Sequence, residues 1–197
     1  MVIAFMLTDK PAKNPLRMMV YASLLAALTA ASALFSIQVG DVPVILYNFF
    51  ILLMGLLLGA RWGTASIAVY LLAGCLGLPV FAGGKGGLAI LLGPTGGYLI
   101  GFMPAVFIIG FISERFKQRL LPDIISLLCG TIVIYAVGVI QLKIVLDKTW
   151  MVSLAIGFFP FIIFDVIKLV AAAVTAKAIR PIMKTNSLYA PEITNSR

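Results

Sequence analysis

Histidine does not occur in this chain of 197 residues, and acidic side chains number only seven. The first absence removes the most frequent metal ligand and the most frequent general base. The second leaves a charged fraction of 11%, against the roughly 25% of a soluble domain. Cysteine is scarce too: Cys75 and Cys129 stand inside apolar runs, with no CxxC and no Cys/His cluster. They read as small buried apolar side chains rather than a disulfide. What fills the chain instead is hydrocarbon: 62% of residues are hydrophobic and the mean hydropathy is +1.12. This is the composition of an integral membrane protein, all-α, and at this length a single helical bundle without a separate soluble domain.

Six membrane segments are expected, at roughly 20 apolar residues per span. They are 17–37, 44–60, 62–78, 94–112, 121–142 and 151–177, within one membrane domain over 17–183. A cytoplasmic segment 1–16 precedes it and a polar, flexible tail 184–197 follows. The second and third spans are separated only by Gly59–Gly63, which predicts a tight turn holding Arg61. Met1–Leu7 is apolar but short and has no leading positive region, so it does not read as a signal peptide. The net charge of +8 flanks the apolar segments, which points to membrane topology rather than nucleic acid. With six spans both termini share a side. That side carries eleven of the fifteen Lys and Arg: Lys10, Lys13, Arg17, Arg61, Arg115, Lys117, Arg119, Lys177, Arg180, Lys184 and Arg197. The other side carries Lys85, Lys143 and Lys148, while Lys168 lies inside the last span. This bias predicts cytoplasmic termini.

Between the third and fourth spans runs Pro79–Gly101, PVFAGGKGGLAILLGPTGGYLIG, with eight glycines. Irregular backbone at membrane depth is tolerated where it is buried in protein or lines a cavity. A cavity-lining or lid element, open to the outside, is therefore expected. A plain connecting loop fits less well, because Ser, Asn and Asp are nearly absent and Leu88–Leu92 is apolar. A phosphate-binding loop is excluded: residue 79 is Pro rather than Gly and residue 86 is Gly rather than Ser or Thr.

Few polar residues interrupt the spans. Asp165 and Lys168 lie three residues apart in the last one, where each costs roughly 2.5–3.5 kcal/mol to insert. The pair reads either as a self-neutralising ion pair or as the polar floor of a ligand site, with a carboxylate for N–H donors and an ammonium for a carbonyl or anion. The second reading is favoured, because no other span supplies an acid and a base together. Tyr47 and Asn48 break the run ILYNFFILL; Asn48 suits a ligand contact or an interhelical hydrogen bond equally. Phe81 and Tyr98, with Gly83 and Gly84, offer stackable surface and open backbone. On the first helix Ala22, Ala26 and Ala30 share a face, with Ser23, Ala27 and Ala31 beside it. Such a face serves internal packing or the docking of another membrane protein.

Taken together, GLPVFAGG (Gly77–Gly84) and LGPTGGYLIGF (Leu92–Phe102) resemble the signature of the BioY family, the biotin-specific substrate-binding (S) components of energy-coupling factor (ECF) transporters. The likeness extends to AALTA at Ala26–Ala30, VP at Val42–Pro43, LLMGLLLGARWG at Leu52–Gly63 and FDVIK at Phe164–Lys168. It implies six helices in a prokaryotic plasma membrane, capture of biotin from outside, and Asp165 and Lys168 as the acid and base that hold it. It implies that the alanine face docks on a transmembrane coupling protein (EcfT-type) carrying two ATPase subunits (EcfA-type). The chain itself would then be no enzyme and would need no cofactor, its ligand being biotin. The chain departs from the family pattern at Tyr47–Asn48, where a Gln-Thr pair is expected, and at Asp41, where Pro is expected. Lys85 has no role in that pattern. An S component for another small vitamin is the neighbouring alternative. A membrane enzyme has little support, with no His, no metal cluster and no second carboxylate in any span.

Overall fold

The computed structural model describes residues 15–39, 42–116 and 118–188. The expected N-terminal segment lies outside these, apart from Pro15 and Leu16, as do Gly40, Asp41, Lys117 and residues 189–197 of the expected tail. Helix α1 (Pro15–Ala33) opens on a proline, which suits the first helical position because no hydrogen bond is lost there. Strands β1 (Ser36–Val39) and β2 (Val42–Ile45) then pair antiparallel, Ser36 opposite Ile45 and Val39 opposite Val42. This short hairpin is an addition to an otherwise helical membrane bundle. Residues 34–37 and 44–46, assigned above to the ends of two spans, belong to a turn and to a two-stranded ribbon. Six of those seven residues are Val, Ile, Phe or Leu, a composition that a short strand accepts as readily as a helix.

Helix α2 (Tyr47–Cys75) is interrupted at Gly59, whose φ of 79° and ψ of −174° are not helical. Gly55 and Gly63 would be about 12 Å apart along an unbroken helix. Here a Cβ on Gly63 would stand 3.7 Å from the Gly55 Cα, so the two halves fold back on each other at Gly59. Arg61 follows this turn and is exposed. The short helix α3 (Leu88–Leu92) leads to α4 (Gly96–Arg115) and α5 (Leu120–Leu146). The last expected span is in two pieces, α6 (Trp150–Gly157) and α7 (Ile162–Leu188), bent by 51°. Pro160 lies in the break; lacking an N–H and crowding the preceding turn, it cannot continue α6. The backbone of α7 runs on through 184–188, five positions assigned above to the flexible tail.

By length and composition α1, α2, α4 and α5 can each cross a membrane, and α6 with α7 makes a fifth crossing if taken as one bent span. Within those apolar windows 72% of α2 is buried but only 33% of α1, so α2 is the centre of the bundle and α1 its flank. The tightest packing joins α4 to α5 and α2 to α4. Glycine makes both contacts possible: a Cβ on Gly110 would meet the Ala60 nitrogen at 2.2 Å, and one on Gly97 the Val137 oxygen at 2.5 Å. Without bulk at these positions the backbones approach closely, and dispersion replaces the hydrophobic drive that lipid does not supply.

Candidate functional site

The glycine-dense stretch divides into three parts with different tasks. Residues 76–87 form a loop in which Gly77, Gly83, Gly84 and Gly87 take positive φ, a region open to glycine at little cost. Phe81 and Lys85 close it by exchanging backbone hydrogen bonds of 2.8 and 3.3 Å. Its other ties reach neighbouring elements: Gly83 N donates to Ala33 O at the end of α1, Gly87 N to Gly74 O, and the Tyr70 hydroxyl to Val80 O at 2.7 Å. Then comes α3, which buries no residue and leaves Leu88 and Leu92 exposed. Gln141 of α5 holds it, Nε2 donating to Leu91 O at 2.7 Å and Gly93 O at 2.9 Å. The third part is not loop at all. Gly96, Gly97 and Gly101 are helical residues of α4, Gly96 pressed against Leu91 and Gln141 and the other two against α5, so three of the eight glycines expected to line a cavity serve packing instead.

Phe81 also differs from expectation. Its ring is 0% exposed, seated on Gly74 and edge-on to Tyr70 at 5.9 Å, so its surface is taken up by the core. Gly83 is exposed, Gly84 is half-buried, and Lys85 is exposed on the same loop.

The break before α7 places Asp165 in the first turn of a helix, where the dipole favours a negative charge. Lys168 Nζ approaches Asp165 Oδ1 at 3.0 Å, each side chain 12% exposed, as their i, i+3 spacing allows. The second carboxylate oxygen accepts the Tyr135 hydroxyl at 2.5 Å. Tyr47 and Tyr98 lie within electrostatic reach of the same carboxylate. Tyr135 of α5 therefore bonds the acid of α7 directly, and Tyr98 of α4 stands edge-on to the Tyr135 ring at 6.2 Å. Tyr47 is buried edge-on to Phe102 at 5.3 Å, and Tyr98 donates to Gly157 O at 2.8 Å. Asn48, next after Tyr47, has its Oδ1 buried without a protein partner. A buried polar atom in that state calls for a further donor. The site is thus rich in acceptors and phenols around one ammonium. It suits a neutral ring with N–H donors and a carbonyl. No group of three His, Cys, Asp or Glu side chains stands together among the described residues.

Tyr135 escapes the sequence reading. It sits in the run TIVIYAVGV, where a tyrosine is unremarked, and the available signal is Gly138 one turn later, the small residue that admits the Tyr98 ring. A second buried ion pair is missed as well. Arg180, assigned above to the cytoplasmic charge, reaches from α7 into the bundle and pairs with Asp123 of α5. Arg180 also donates to Leu56 O at 2.9 Å, to Gln118 O at 3.2 Å and to Ser113 Oγ at 2.9 Å. Ser113 in turn donates to Asp123 Oδ1 at 2.6 Å. This corrects the expectation that no second carboxylate enters a span, since Asp123 lies within the expected span 121–142. The partners stand on different helices, so no local spacing reveals them. The cluster lies at the Gly59 end of the bundle, opposite Tyr98 and the glycine loop.

Of the alanine face, Ala22, Ala26 and Ala30 are half-buried. Ala22 O accepts the Ser66 hydroxyl at 2.8 Å, and Ala22 and Ala30 pack on the core. The face turned outward is the adjoining one, Ser23, Ala27 and Ala31. Internal packing therefore occupies much of the face expected to be free for docking.

Known proteins resemble the chain over most of its length. The family model described as "BioY family" matches residues 6–185. A "Biotin transporter BioY" of Thermotoga maritima is 42% identical over 161 residues, 82% of this chain and 94% of that protein. A "Probable biotin transporter BioY" of Pyrococcus horikoshii is 41% identical, over 80% of this chain and 93% of that one. Among solved structures, the crystal structure of "the S-component for biotin from an ECF-type ABC transporter" superposes with a TM-score of 0.81 at 32% identity, covering 88% of this chain and 95% of that one. On a match this long, with relatives this similar over most of their length, the chain belongs to the BioY family.

Proposed function

We propose that this protein takes up biotin, as the high-affinity S component of an ECF-type transporter in a prokaryotic plasma membrane. The observation that carries the proposal is the Asp165–Lys168 pair with the Tyr135 hydroxyl on its second carboxylate oxygen and Tyr98 edge-on to the Tyr135 ring. A ureido ring offers two N–H donors and one carbonyl, which a carboxylate and an ammonium complement. The thiophane ring and valeryl chain suit aromatic and glycine-lined surface, with Asn48, Gly83 and Gly84 contributing near the entrance. The family relatives, which carry the name of biotin transporters, support the choice of ligand.

The chain then crosses the membrane six times, the halves of α2 on either side of Gly59 counting as two crossings and α6 with α7 as one. The charge bias puts both termini and the Arg180–Asp123 cluster in or near the cytoplasm, and the glycine loop outside. Biotin enters from outside under α3 and the loop. A transmembrane coupling protein of EcfT type binds the outward face of α1, and two EcfA-type ATPases supply the energy. The loaded S component topples so that the site opens inward, and nucleotide turnover in the partners drives release and reset. Calorimetric titration of biotin into detergent-purified protein tests the ligand. Absence of binding at micromolar biotin removes the proposal.

A further inference from the structure

Both oxygens of the Asp165 carboxylate have a partner within the protein. Lys168 meets Oδ1 at 3.0 Å from the next turn of the same helix. Tyr135 meets Oδ2 at 2.5 Å from another helix, α5. The terminal torsion of an aspartate is soft, so one partner leaves its plane free to turn. A partner on each oxygen fixes the plane, and with it the directions of the lone pairs that remain. Tyr135 is itself fixed: Tyr98 and Phe158 meet its ring edge-on at 6.2 and 4.8 Å, both at 86°. Tyr98 is anchored in turn by Gly157 O and by Gly138, where a Cβ would come within 2.3 Å of its ring. A continuous set of contacts runs from the end of α6 through α4 and α5 to the carboxylate in α7.

We propose that Tyr135 is the positioning residue of this site: its hydroxyl fixes the plane of the Asp165 carboxylate so that the free lone pairs receive the N–H donors of the ligand. The inference rests on the biotin reading given above and deepens it. With its proton committed to Asp165, the Tyr135 oxygen presents only lone pairs elsewhere, so this flank of the site favours a ligand N–H over a ligand carbonyl. The carbonyl is left to Lys168.

The test is calorimetric titration of biotin, up to millimolar concentration, into the full-length protein, Tyr135→Phe, Asp165→Ala and the double variant. Tyr135→Phe is expected to weaken binding roughly fivefold or more in the parent, because it removes a hydrogen bond to a charged group. In the Asp165→Ala background, where no carboxylate remains to be oriented, the same change is expected to cost less than about twofold. Equal losses in the two backgrounds, or an unchanged affinity of Tyr135→Phe, overturn the positioning role. Failure of the parent to bind biotin overturns the reading of the ligand instead, so the two failures are distinct. Should Tyr135→Phe not fold, Phe158→Leu replaces it in both backgrounds, loosening the ring while keeping the hydroxyl, with the same expected pattern and the same overturning outcomes.

Discussion

The Tyr98 hydroxyl donates to the carbonyl of Gly157 at 2.8 Å, closing α4 onto the last turn of α6. That carbonyl lies where the helix stops and has no helical successor to bond. Tyr98→Phe leaves it unpaired in a buried place, which costs about 1–2 kcal/mol. A lower melting temperature in detergent and weaker biotin binding are expected together. A melting temperature equal to the parent's would show that the bond adds no stability.

Asp165→Asn and Lys168→Ala are each expected to weaken biotin binding at least tenfold, about 1.4 kcal/mol or more. Titration calorimetry reads this directly. If neither variant changes the affinity, the pair is a structural ion pair and the ligand lies elsewhere.

At the opposite end, Arg180→Leu strands the Asp123 carboxylate among Ser113, Ser126 and apolar side chains. Breaking a buried pair from one side typically costs about 3–5 kcal/mol, whereas replacing both partners is far milder. Arg180→Leu should therefore melt well below the parent, and Asp123→Leu with Arg180→Leu should recover much of the loss. A double variant no better than the single one would mean that the bonds from Arg180 to Leu56 O and Gln118 O matter more than the charge pair.

Gln141 holds both carbonyls at the end of α3 through one nitrogen. Gln141→Leu is expected to speed amide exchange over 88–95 and to raise the biotin dissociation rate, with little change in melting temperature. Exchange in that segment as slow as in the parent would deny Gln141 its holding role.

On α1 the outward stripe is Ser23, Ala27 and Ala31. Ala27→Trp should leave biotin binding intact while preventing co-purification with the coupling protein. Ala26→Trp, whose side chain meets the bundle, should lower the melting temperature instead. Assembly that survives Ala27→Trp would place the docking surface on another helix.

These sites were not equally legible. Asp165 and Lys168 could be read because charge is costly in lipid and their spacing puts them on one face. Gly59 announces a turn through its own backbone chemistry, whereas the break at Pro160 falls inside 151–177, which reads from the sequence as one span. Asp123 and Arg180 could not be paired, since 57 positions separate them and helix packing alone brings them together. Tyr135 was hidden for a related reason: a lone tyrosine in an apolar helix carries no periodic signal, and its meaning comes from Asp165 on another helix. The strands at 36–45 were lost to length, four residues each being too few to show alternation. The glycines from 96 to 101 read as one loop with those before them, although these three belong to a packed helix.

The reversal at Gly59 also governs how the polypeptide reaches the bilayer during synthesis. Each half of α2 is shorter than the roughly 20 residues that a crossing helix needs on its own, so neither is a good substrate for insertion alone. Folded back at Gly59, they present one compact hydrophobic hairpin whose only charged group, Arg61, sits at the bend. With the orientation proposed above, such a hairpin would enter as a unit and leave the arginine on the cytoplasmic side. Any side chain larger than hydrogen at position 59 would have to adopt positive φ and displace Glu114. The penalty would then fall on biogenesis, as lost protein in the membrane, before it could appear as lost transport.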